Sequence, residues 1–180
     1  MKALNIIVCN DLRCRDFDEA LQAAKKEQAS RTSIQAHARE KVNFDGPLCK
    51  LLRDDGHNVT LFDGHGGKDL KTHITETAKL SNEIASLIIE KSATCMVLDL
   101  NFFGDFQAGI EIMRNLRRDQ SLPSEMKDRI LIYSRYTNEP AYNYEKVLTK
   151  ELKICSENIL NRNTVKINTV AAIIKKWSEK

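Results

Sequence analysis

Five short apolar runs punctuate this chain. They are about Ala3–Cys9, Asn58–Phe62, Cys95–Leu98, Ile130–Tyr133 and a brief one near Asn158–Leu160. An unbroken apolar run of about four to eight residues reads as a strand covered on both faces. Between the runs, apolar positions recur at helical spacing. Asp45-Gly46-Pro47 opens a helix carrying Leu48, Leu51 and Leu52, and Gly56 stops it. Leu80, Ile84, Leu87 and Ile88 mark a helix within 68–91. A loop with Gly104 and Gly109 leads to a helix with Ile110, Ile112, Met113 and Leu116, and Pro123 sits in the loop before the fourth strand. Asn138-Glu139-Pro140 opens a helix reaching about Leu152. The last helix, about Thr164 to Trp177, gathers Ile167, Val170, Ala171, Ile174 and Trp177 on one face. Strands alternating with helices predict an α/β chain: a doubly wound, five-stranded parallel sheet covered on both faces. One stretch does not fit that rhythm. From Asp16 to Val42 the chain is polar and alanine-containing, without Pro or Gly. It reads as one long helix or two shorter ones, inserted at about 12–45 in a single domain spanning 1–180.

Composition narrows the picture modestly. A chain of 180 residues has room for one full core. A net charge of +3 is too small to argue for nucleic acid. The basic residues in and beside the insertion (Arg13, Arg15, Lys25, Lys26, Arg31, Arg39, Lys41) interleave with Asp16, Asp18, Glu19, Glu27 and Glu40, the pattern of a solvated helical face. Cys9, Cys14, Cys49, Cys95 and Cys155 form an odd set with no CxxC pair, and Cys9 and Cys95 lie inside apolar strands. This points to a reducing compartment. No run is long enough to span a membrane, and Met1-Lys2-Ala3-Leu4 leads into a strand without a cleavage pattern. The expectation is a cytoplasmic protein with no membrane partner. The four histidines show no metal-site spacing, and Gly64-His65-Gly66-Gly67 lacks the rest of a P-loop, so it reads as a strand exit.

The chemistry lies at strand ends. The first strand runs out on Asn10-Asp11, the third on Asp99 and the fourth on Ser134. In a parallel sheet these ends share one edge, where open α/β sheets bind ligands. Two carboxylates and a hydroxyl suit a divalent cation and a phosphoryl group. Mg²⁺ takes oxygen ligands, and a cation offsets the repulsion of paired carboxylates.

With these motifs in order, the chain resembles the receiver domain of bacterial response regulators. Asn10-Asp11 falls at the family's acidic pair, Asp99 within Val97-Leu98-Asp99-Leu100-Asn101 at its phospho-accepting aspartate, and Ser134 at its Ser/Thr after strand four. Gly56-His57-Asn58-Val59 and Asp63-Gly64 resemble its second strand and exit. The resemblance implies a flavodoxin-like receiver fold. It implies phosphorylation of Asp99 by a phosphohistidine on a histidine kinase or phosphotransfer protein. Mg²⁺ would be held by Asp11, Asp99 and the Asn101 backbone carbonyl, and Ser134 would bond a phosphoryl oxygen. With no room for an output domain after the last helix, action through a partner or a homodimer is expected. The surface would be that of the last two helices, with Tyr142 and Tyr144.

Several positions depart from the family pattern. Asn10 replaces an acid, Phe103 stands where proline is typical, and roughly 30 residues are inserted after strand one, long for a loop. Asn158 and Ile159 occupy the region of an aromatic on strand five. The family's lysine after strand five is not evident: Asn161 takes its place, with Arg162 beside it. Two alternatives follow. One is a pseudo-receiver, a protein-interaction or dimerisation module that is not phosphorylated. The other is a phosphatase with Asp99 as nucleophile, against which Asn101 stands where a general acid is needed.

Overall fold

The computed structural model describes residues 2–10, 47–63, 73–100, 102, 106–134, 137 and 144–179. The expected insertion, the opening of the helix at Asn138-Glu139-Pro140, and Asp11, Cys14, Asn101, Phe103 and Tyr142 lie outside the described residues.

The strands are β1 (Asn5–Asn10), β2 (Asn58–Asp63), β3 (Cys95–Leu98), β4 (Ile130–Ser134) and β5 (Ile159–Asn161). All pair in parallel, in the order β2-β1-β3-β4-β5. The helices are α1 (47–54), α2 (His73–Glu90), α3 (Phe106–Arg118), α4 (Ser124–Asp128), α5 (Tyr144–Lys146, continuing as a π turn over Val147–Glu151) and α6 (Ile167–Ser178).

Why the strands are apolar throughout is plain from where their side chains go. Successive residues on a strand face opposite sides. In β1, Ile6 and Val8 join a core with Leu48 and Leu52 of α1 and Val170, Ile174 and Trp177 of α6. Ile7 and Cys9 join the opposite core with Ile84 and Ile88 of α2 and Ile112, Met113 and Leu116 of α3. Cys95 and Val97 alternate with Met96 and Leu98, and Leu131 and Tyr133 with Ile130 and Ile132, in the same way. Both faces of the central strands are covered, so their middle positions are apolar and the polar residues fall at the strand ends.

Two helices end alike. Gly56, at φ +85°, follows α1, where the His57 N–H donates to Leu52 O and the Gly56 N–H to Arg53 O. After α2, Ser92 takes the same left-handed place at φ 47°, with Ala93 N–H donating to Ile88 O and Ser92 N–H to Ile89 O. This double bond closes the orphaned carbonyls of a helix end. The glycine announced the first stop in the sequence; the serine concealed the second.

Several boundaries differ from expectation. Gly109 lies inside α3, not in the loop before it. A Cβ there would run into the Leu100 backbone, and the Gly109 N–H donates to Leu100 O at 3.2 Å, so the glycine permits close packing. Pro123 opens the short helix α4 rather than a plain loop. The last helix starts at Ile167, three residues later than expected, because Asn161 O takes the N–H groups of Thr164 and Val165 in a turn. Tyr144, expected on a docking face, is buried in the α2–α3 core. Among the described residues, no helix is long and apolar enough to cross a membrane.

Candidate functional site

The chain lays β2 to one side of β1 and then returns past β1 to lay β3 on the other. The sheet's direction of growth reverses there, and a crevice forms beyond the carboxyl ends of the two strands. Asp99 stands at that point. Cys9 and Leu98 are register partners, and the next N–H, that of Asp99, donates to Cys9 O at 3.0 Å. The backbone that carries the carboxylate is therefore pinned by the neighbouring strand. Asp99 is only 2% exposed.

Ser134 closes β4, fully buried, in register with Asn161 at the end of β5. The Arg162 N–H continues the ladder by donating to Ser134 O at 3.2 Å. Asn161 then organises the exit. Its carbonyl accepts from Thr164 N–H (3.1 Å), Val165 N–H (2.8 Å) and Thr164 Oγ1 (3.2 Å), while its Oδ1 accepts from Asn163 N–H at 2.9 Å. Tyr133 ties the same turn from the sheet, its hydroxyl donating to Val165 O at 2.9 Å. Burial raises the Tyr133 phenol above its ordinary pKa, while the charge of Arg162 pulls the other way.

This turn delivers the site's cation. Arg162 Nη1 lies 3.3 Å from Asp99 Oδ2, with the two side chains 13% and 3% exposed. Of the two candidates for the cationic position, Arg162 is the one that forms an ion pair with the aspartate. Asn161 is spent on the turn that aims it.

The structure thus brings together Asp99, Arg162 and the Ser134 strand end. The other two expected metal ligands, Asp11 and Asn101, lie outside the described residues. Among the described residues, no three His, Cys, Asp or Glu side chains converge as a metal site. The sequence reading missed Thr137, which is buried and places its Oγ1 3.5 Å from Ser134 O. The signal was a hydroxyl residue three positions beyond the strand-ending serine, a spacing at which Ser/Thr side chains bond back to the main chain.

Comparison with family models, with curated proteins and with solved structures gave no match.

In chemical terms, the edge offers a fixed carboxylate oxygen as nucleophile or ligand and a guanidinium able to meet two oxygens of an oxyanion at once. The carboxylate follows the buried end of β3 and the guanidinium the turn after β5, and hydrogen bonds to the neighbouring strands hold both backbones.

Proposed function

We propose that this chain is a receiver-like signalling domain of flavodoxin-like fold, with Asp99 as the acceptor of a phosphoryl group from a phosphohistidine donor. The observation that supports this reading best is the ion pair of Arg162 with Asp99 at the end of β5. It supplies a cation where the family's lysine is not evident. In the transfer, an Asp99 carboxylate oxygen attacks phosphorus. A P–O bond forms, the P–N bond to the donor imidazole breaks, and the imidazole nitrogen keeps the electron pair. Arg162 then passes from the carboxylate to the phosphoryl oxygens, for which its planar fork is suited. Ser134 and Thr137 stand on the strand exit that would respond to the added charge.

The donor would be a histidine kinase or phosphotransfer protein. The exposed residues of α6, among them Asn168, Lys175 and Lys176, would serve a homodimer or a partner. Mg²⁺, which the resemblance implies, would meet an Asp99 that Arg162 already holds.

The test is intact mass after incubation with acetyl phosphate, with Asp99→Asn as control. One added phosphoryl group in the wild type and none in the variant is the expected result. A second reading, a binding module without phosphoryl transfer, draws on one observation: Asp99 is almost wholly covered and already ion-paired. Absence of uptake by the folded protein would select it.

A further inference from the structure

The pair at the sheet edge bears on which cation serves Asp99. A divalent ion is the usual way to offset a carboxylate that must meet a phosphoryl group. Here a side chain is already in that position. We infer that Arg162 is the resident counter-ion of Asp99, and that Mg²⁺ competes with its guanidinium for the carboxylate instead of joining it. The inference rests on the reading of Asp99 as the centre of the site and specifies its cation.

Three observations support it. Both side chains are sheltered, at 13% and 3% exposure, so water screens their attraction weakly. Both backbones are held: Asp99 N–H by Cys9 O, and Arg162 N–H by Ser134 O. The Asn161 turn, itself tied by Tyr133 to the sheet, keeps Arg162 from swinging away as a loose surface residue would. A guanidinium is a permanent charge, so it does not make room for a metal ion by giving up a proton. A divalent cation on the same carboxylate would therefore face a fixed like charge across one side chain, which weakens its hold on Asp99.

Chemistry at the site changes accordingly. A metal ion at Asp99 would have to displace the guanidinium first, and the energy of that displacement would be subtracted from metal affinity. The phosphoryl group, in contrast, can be met by the guanidinium without any added ion.

Mg²⁺ alone is titrated into the full chain and into R162Q, followed by backbone amide shifts. The expected result is at least about tenfold tighter binding in R162Q, lost again when Asp99→Asn is added to it. Equal or weaker binding by R162Q, or no binding by either protein, overturns the inference. R162Q removes half of a buried pair and is open to poor folding, so the wild type provides a second readout. The Arg162 Nη–H resonances should exchange slowly with water without Mg²⁺ and quickly when Mg²⁺ is bound. Slow exchange retained in the Mg²⁺-bound protein overturns the inference too. Phosphoryl uptake at Asp99 is read separately by mass, so either proposal can fail while the other stands.

Discussion

Two side chains, Arg162 and His57, show what single residues do here and how far a sequence reveals it. Arg162 and Asn161 are adjacent and polar, and composition does not rank them. The choice is made by hydrogen bonds around Asn161, which depend on how β5 ends against β4. His57 follows the glycine that closes α1 and is buried, where its Nδ1 accepts the Leu4 N–H at 3.4 Å. That bond requires a neutral ring. Burial lowers its pKa, and the nearby Asp55 opposes this only in part. The unfolded chain takes up the proton near its ordinary value of about 6.5, whereas the folded chain resists it. The unfolded state then holds more protons, so stability is full above about pH 6.5 and is lost as pH falls toward the lowered folded value. Urea midpoints should fall between about pH 7.5 and 5.5. In His57→Gln that part of the slope should vanish, and an unchanged slope would refute this account.

At the scale of elements, the close approach of Leu100, just after β3, to α3 is demanding. Leu100, directly after Asp99, lies with its backbone against Gly109 in the first turns of α3. Gly109→Ala places a methyl group into the Leu100 backbone. The variant should lose roughly 1–3 kcal/mol by chemical denaturation, more than an average helix-surface change, despite alanine's better helix propensity. Stability at or above wild type would show that the contact gives way. The sequence placed Gly109 in a loop because a glycine before an apolar helical stripe resembles a boundary. The reason for it is tertiary, a backbone passing close by, which no local pattern encodes. The same holds for α4, a one-turn helix with only Met126 buried. A single apolar contact sets no detectable period. By contrast, β1, β3 and β4 and the stripes of α2, α3 and α6 were legible, since each is written in several consecutive or periodic apolar residues.

Across the whole molecule, periodicity told which residues are inside but not which strand lies beside which. The structure has the strand order 2-1-3-4-5, which no local pattern encodes. The site was legible to the same extent: Asp99 and Ser134 are strand-ending residues, whereas their proximity to Arg162 follows from the order of strands. The closed sheet has a chemical signature. Cys9 and Cys95 are fully buried on the central strands, and burial raises both thiols, that of Cys95 to about 12, with the charge of Arg129 the main opposing influence. Cys155 is exposed. Iodoacetamide on the native protein, mapped by peptide mass, should label Cys155 promptly, and Cys9 and Cys95 only as fast as the sheet opens. Early labelling of Cys9 or Cys95 would mean that the sheet opens in part without global unfolding.

The protein has one tryptophan, Trp177, and it lies in the layer formed by α1, α6 and one face of the sheet. Its fluorescence is thus an optical report from that layer alone. The layer of α2 and α3 has no indole, though its helices contribute to the far-ultraviolet dichroism. Emission and dichroism followed together during denaturation therefore compare one side of the sheet with the entire protein, without any label being attached.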